Sequence, residues 1–205
     1  VLAVTNVVEE SGMEVEDLST RERILHEAID LISENGFKDT TVKDIAVKAA
    51  VSEMTVFRHF KTKSSILDEA IQRFSFEIPI KKDVENKITW ELEKDLRLFT
   101  TVYHKFTSLN EKVLIIKFKE GQKAFTNDIV ESPRQLKKFL VEYFEKMQDL
   151  GKMVETDSEL QAIIFIYMNF GFFCSKILGN ERLTDKSFDD FLNGSVKLFA
   201  RGIAP

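Results

Sequence analysis

The chain has 205 residues, 43% of them hydrophobic, with only 8 Gly and 3 Pro and a net charge of −5. That length holds one large domain or a small domain joined to a medium one, and so few turn-formers exclude an all-β architecture. The acidic balance excludes promiscuous coating of nucleic acid, yet it is uneven. Residues 1–20 carry five acids and no bases, whereas residues 21–65 carry eight bases and seven acids, which leaves room for a local basic face.

Val1 to Val8 are apolar but too few for a secretory core, and no basic flank precedes them. Met13 stands just ahead of the first strong helix signal. Residues 1–12 are therefore expected to be a leader, a mis-assigned start or a tail, and 1–18 a disordered leader. Ser19-Thr20-Arg21-Glu22 is a capping-box signature, a hydroxyl with a carboxylate three residues on. Ile24, Leu25, Ala28, Leu31 and Ile32 come next at helical spacing until Gly36 stops the helix.

Thr41-Val42-Lys43-Asp44 offers a second box and opens a helix with Ile45, Ala46 and Ala49 inward. Those small residues permit a close crossing by the next helix. Ala50-Val51-Ser52 supplies the turn, and Ser52 caps the second helix. Two short helices around a tight turn make a helix-turn-helix, whose second helix lies in the DNA major groove.

Beyond Lys63 the elements lengthen. Ile66, Leu67, Ala70, Ile71 and Phe74 predict a connecting helix ending near Pro79. Ile88, Leu92, Leu96, Phe99, Tyr103 and Phe106 mark a long amphipathic helix, and residues 111–125 a weakly periodic one containing Gly121. Ser132-Pro133-Arg134-Gln135 opens a helix that runs to Gly151. Ser158 opens the most apolar helix, which Gly179 closes, and a last helix covers about Ser187 to Arg201. No segment alternates persistently with period two, so the chain reads as nine helices, all α.

The apolar run Leu160 to Ser175 falls short of the roughly 18–20 residues of a membrane span and contains Gln161, Asn169 and Gly171. It reads as a buried interface helix, and no membrane partner is expected. Cys174 is the single cysteine, which rules out an intramolecular disulfide and fits a reducing, cytoplasmic setting. Its apolar neighbours point to inert burial. No metal-ligand spacing, phosphate-binding glycine loop or paired nucleophile and base occurs. His26, His59 and His104 are scattered over separate helices. No enzyme activity, cofactor or metal is expected.

Residues 20 to about 67 resemble the DNA-binding domain of TetR-family transcriptional regulators. The resemblance rests on an ordered string: Arg21-x-x-Ile24-Leu25-x-x-Ala28, Gly36-Phe37, Thr40-Thr41-Val42, Ile45-Ala46, Ala49-Ala50-Val51-Ser52, Thr55-Val56-Phe57-Arg58-His59-Phe60 and Lys63. It implies a three-helix DNA-binding domain at 19–63 and a larger helical domain at 64–205 for ligand binding and dimerisation. It also implies a recognition helix at about Ser52 to His59 and phosphate contacts at Thr41 and Lys63, with Lys43 adding charge. Glu53, Met54 and Thr55 then face base edges, and Arg58 and His59 serve phosphates or bases. Two positions depart from the family: Ala50 where Gly is common, and Phe57 where Tyr is common, which makes Phe57 a packing residue.

Fifteen of the 18 Phe lie after residue 70. A Phe-rich helical domain is suited to a hydrophobic or aromatic small molecule, and the candidate lining residues are Trp90, Tyr103, His104, Phe106, Phe118, Tyr143, Tyr167, Asn169 and Phe173. Asn169, inside the most apolar segment, demands a partner. A homodimer is expected through 158–179 and 187–201, placing two recognition helices on a palindromic double-stranded DNA operator. The leading expectation is thus a ligand-released repressor. The alternative is a ligand-independent structural or nucleoid-associated DNA binder of the same fold.

Overall fold

The computed structural model describes residues 18–75, 84–120, 131–177 and 184–205, with the side chains of 131–133 left out. Among these residues the structure is all helix: α1 (Thr20–Asn35), α2 (Val42–Lys48), α3 (Glu53–His59), α4 (Lys63–Phe74), a 3-10 turn (Glu85–Lys87), α5 (Leu92–Leu109), α6 (Glu111–Glu120), α7 (Glu131–Asp149), α8 (Ser158–Ile177) and α9 (Phe188–Ile203). The expected leader, Pro79, Gly121, Gly179 and the Ser132-Pro133 cap lie outside the described residues or side chains.

The caps explain where the helices begin. Reciprocal capping boxes join Ser19 to Glu22 on α1, Thr41 to Asp44 on α2 and Ser187 to Asp190 on α9. A further box, Thr62 with Ser65, opens α4. The ends are equally specific. At the end of α2 the Val51 amide bonds the Ala46 carbonyl at 2.9 Å and the Ala50 amide bonds Val47 at 3.1 Å. The end of α7 repeats the pattern, with Lys152 to Met147 at 2.9 Å and Gly151 to Gln148 at 2.8 Å. Both are Schellman closures, which require a left-handed residue just past the helix. Gly151 takes that position at φ 64 and Ala50 at φ 53. The alanine therefore adopts the left-handed turn that the family's glycine would, with no change of turn type.

Two compact units emerge, one of residues 18–75 with 108–120, the other of 84–107 with 131–177 and 184–205. In the first, α1 packs on α2, α4 and α6, and α2 packs on α3. Its core includes Ile24, Ile32, Ile45, Val56, Ile66 and, from α6, Val113 and Ile116. Ala46 and Ala49 are buried as the helix crossing requires. This unit is larger than the segment 19–63, because both α4 and α6 contribute to its core. In the second unit α7 packs along α8, and α8 meets α9. Leu96, Phe99, Leu140, Phe144, Met147, Phe165 and Val196 form its core.

Helix α8 is longer than its apolar run suggested. It has 20 residues, and its most apolar 18-residue window has a mean hydropathy of 1.4, long and apolar enough to cross a membrane by length and composition. Against a bilayer stand its packing on α7 and the buried polar Asn169, whose Nδ2 donates to the Phe165 carbonyl at 2.8 Å. The partner that Asn169 demanded is thus the backbone of its own helix.

Candidate nucleic-acid interface

Helix α3 is short and anchored on one side. Val56 is fully buried, and the next residue after the helix, Phe60, is buried too. Ser52 caps the helix, its Oγ accepting from the Thr55 amide at 3.1 Å and lying 2.9 Å from the Thr55 hydroxyl. At the other end Arg21 donates to the His59 carbonyl at 3.0 Å, grips Glu69 of α4 through two bonds of 2.7 and 2.6 Å, and lies 4.4 Å over the Phe60 ring. This paired guanidinium–carboxylate fork fixes α1, the end of α3 and α4 in one frame. Arg21 belongs to the TetR-like string of residues, but Glu69 carried no signal in the sequence.

Four residues of α3 face outward: Glu53, Met54, Phe57 and Arg58. Met54 is 79% exposed and Phe57 51%. Phe57 is therefore not the packing residue expected. Its neighbour Val56 fills the inward position, and a seven-residue helix has only one inward stripe. Thr55 and His59 are half-buried, and Ser52 is exposed at the cap.

The start of α2 offers a second group. The Thr41 hydroxyl donates to Asp44 Oδ2 at 2.6 Å, and the Thr41 amide bonds the same oxygen at 2.9 Å. Those two bonds hold the Asp44 carboxyl below its ordinary range, the side-chain bond contributing most. The first-turn amides of Val42 and Lys43 lie outside the intrahelical ladder and suit an anion. Lys43, Lys48, Arg58 and Lys61 are exposed cations of this unit. Lys43 and Lys48 also border a cleft of about 330 Å³ with Asn35, Asp44 and Val47. Lys63 is placed differently from a free surface cation. Its ammonium donates to the carbonyls of Phe37 and, at 2.7 Å, Thr40, and lies 4.2 Å over the Phe37 ring. A lysine has three donors, so two hold the α1–α2 loop and one is left for an anion.

The candidate effector residues are divided between the two units. Phe118 belongs to the first unit, and Trp90, Tyr103, His104, Phe106, Tyr143, Tyr167, Asn169 and Phe173 to the second. Trp90 stacks on Tyr143 at 5.8 Å with an interplanar angle of 12°. The buried Tyr143 hydroxyl donates to Asp95 Oδ2 at 2.9 Å, while Thr89 gives Asp95 Oδ1 two bonds of 2.8 Å. Burial, then the Asp95 charge, pushes the Tyr143 phenol above its ordinary range. Trp90 itself sits at φ 57, and its carbonyl accepts from Lys152 at 2.9 Å. His104 stacks on Phe188 at 3.7 Å, and Tyr103 lies 6.3 Å from Phe106. Phe173 and Asn169 are buried, whereas Tyr167 is exposed. Burial raises the Cys174 thiol, in keeping with an inert residue. Among the described residues no group of three or more His, Cys, Asp or Glu is placed to hold a metal ion.

Described residues that are all helical, with a capped helix-turn-helix and an outward-facing second helix, fit a DNA-binding regulator of the helix-turn-helix class. Residues 24–70 match the family model for bacterial regulatory proteins of the TetR family. The uncharacterized HTH-type transcriptional regulator YvkB of Bacillus subtilis (strain 168) is 29% identical over 188 residues, covering 90% of this chain and 97% of YvkB. The biofilm operon icaADBC HTH-type negative transcriptional regulator IcaR of Staphylococcus aureus is 22% identical over 151 residues, 72% of this chain and 80% of IcaR. The crystal structure of AibR in complex with isovaleryl coenzyme A and operator DNA shares the fold with a TM-score of 0.65 and 18% identity, over 88% of this chain and 97% of AibR. Over residues 24–70 the chain thus matches the TetR family, and over 90% of its length it is similar to an HTH-type transcriptional regulator.

Proposed function

We propose that the protein is a homodimeric repressor that leaves a palindromic operator when a hydrophobic or aromatic small molecule binds its second unit. The observation that carries the dimer is the uncovered face of the two last helices. Only 22% of the apolar window of α8 is buried, and Leu160, Ile164 and Tyr167 of α8 and Leu198 of α9 are exposed. Tyr167 and Leu198 reach 69% and 76% exposure. Burying such a stripe against its two-fold copy gives the isologous four-helix contact that a cyclic dimer uses. A dimer sets two α3 helices roughly 34 Å apart, one turn of DNA.

On this reading Lys43, the α2 amides beside Thr41 and the remaining donor of Lys63 meet phosphates, and Arg58 and His59 meet phosphates or bases. Glu53, Met54 and Thr55 face base edges, with Ser52 holding Thr55 in place. IcaR is named a negative regulator and AibR was crystallised with an acyl coenzyme A and operator DNA, which supports repression and ligand control by analogy. The effector acts only through different affinities for the bound and released dimers.

One observation favours the ligand-independent alternative. Phe139, Phe99, Tyr143, Phe144, Phe199 and Phe165 touch in an unbroken series of ring contacts, so much of the aromatic content fills core. Sedimentation of the full chain with and without Leu198→Glu tests the dimer: a dimer that becomes a monomer supports it, and a monomeric wild type rejects it. Titrating apolar and aromatic compounds against the protein–DNA complex separates the two readings. Release by a saturable compound supports the repressor, and affinity unmoved across the series supports the alternative.

A further inference from the structure

Helix α3 presents two large apolar side chains where a DNA-reading helix usually presents hydrogen-bonding groups. Met54 and Phe57 are three positions apart, which places them on one face, with Arg58 beside them. Neither belongs to the core of the first unit, where the inward stripe is Val56 followed by Phe60. Thr55, half-buried between them, has its hydroxyl against Ser52 Oγ, so the exposed surface from Met54 to Phe57 is apolar. Phe57 also lacks any hydroxyl with which to approach a phosphate.

The major groove offers donors, acceptors and a single apolar feature, the C5-methyl of thymine. Two apolar groups pressed against donor or acceptor edges leave those edges dehydrated and unpaired, whereas against thymine methyls they bury apolar surface on both sides. Methionine suits this task, because its unbranched thioether adapts to a methyl's position while the phenyl ring supplies a rigid wall. We infer that Met54 and Phe57 read thymine methyl groups, so that the operator is specified in part by thymines contacted through α3. The inference rests on the DNA-binding reading of α3 and is independent of any effector.

The test uses duplexes selected by the full-length protein from a randomised pool, then resynthesised with deoxyuridine replacing each thymidine in turn. Uracil keeps every pairing and groove hydrogen-bonding group and removes only the methyl. Loss of one buried methyl corresponds to roughly fourfold weaker binding per contact. The expected result is such a loss at one or two positions of each half-site, abolished in Met54→Ala or Phe57→Ala. Both variants keep the wild-type salt dependence, because neither side chain neutralises a phosphate. Both residues are exposed, and circular dichroism confirms that the variants fold. Selective binding that ignores deoxyuridine overturns the inference and leaves the DNA-binding reading intact. A deoxyuridine effect that survives both substitutions assigns the methyl contact to another side chain and overturns it too. Failure to select any duplex overturns the DNA-binding reading itself.

Discussion

The carboxylate of Glu120, in the last turn of α6, accepts a hydrogen bond from the backbone amide of Phe37 at 2.8 Å, across 83 residues of sequence. The same turn of α6 sends Lys119 to the carbonyls of Ser33 at 2.7 Å and Glu34 at 2.9 Å, and Lys112 pairs with Asp30. Helix α6 thus finishes the end of α1, supplying cations to its last carbonyls and a carboxylate to the first amide beyond Gly36. The Phe37 carbonyl is held in turn by Lys63, which also holds Thr40, one residue before the cap of α2. Removing the carboxylate strands a half-buried amide. Glu120→Ala is expected to cost about 1.5–3 kcal/mol in urea unfolding, with Glu120→Gln recovering much of it because an amide oxygen still accepts.

Ala50 stands in a left-handed conformation that a non-glycine residue holds at a cost of roughly 1–2 kcal/mol. Its side chain is exposed, so removing it forfeits no packing. Glycine also loses more backbone freedom on folding, about 0.5–1 kcal/mol. Ala50→Gly is therefore expected to stabilise the protein by about 0.5–1 kcal/mol, read as a raised urea midpoint at unchanged slope. DNA affinity should be kept, since the turn geometry is already that of the glycine form.

Asp95 is buried and satisfied by Thr89 and Tyr143, and the Tyr143 ring supports Trp90. Tyr143→Phe keeps the stack and removes one donor from a buried carboxylate. A loss of about 1.5–3 kcal/mol is expected. Trp90 is the single tryptophan, so its fluorescence reports this corner alone. An emission spectrum that shifts in Asp95→Ala but hardly at all in Tyr143→Phe would match the two roles.

His104 stacks on Phe188, and burial, then the charge of Lys176, lowers its pKa from 6.5. Burial likewise lowers His26. A histidine whose folded pKa is depressed favours the neutral form. Its contribution is complete above the unfolded value near 6.5 and is lost as pH falls through the lower folded value. Melting temperature should therefore fall as pH is lowered below about 6.5, and His104→Phe should flatten part of that drop while keeping the ring contact. An unchanged slope would remove His104 from the explanation.

The helix starts were legible because caps are local. Ser19, Thr41, Ser52 and Ser187 each bond an amide within three residues, so sequence and structure agree on them. The turn at Ala50 was legible as a turn, but its sign of φ was not, because alanine does not announce a left-handed residue as glycine does. Long-range pairings left no periodic trace. Glu69 under Arg21, Asp95 under Tyr143 and Glu120 on Phe37 are single polar residues within otherwise ordinary helices, and only the fold brings their partners near. The same reason hid the inward use of Lys63 and the place of α6 in the first unit. Phe57 misled because a ring without the hydroxyl common at that position reads as a packing residue, while the inward position of a helix this short was already taken by Val56.

The most direct measurement is binding of the purified full-length protein to DNA fragments from upstream of its own gene, across a range of salt. Saturable binding to particular fragments is predicted, with log affinity falling against log salt at about −0.9 for each phosphate neutralised. A folded protein that binds no fragment even at low salt, or binds all of them alike, would contradict the account of α2 and α3 as an operator-reading unit.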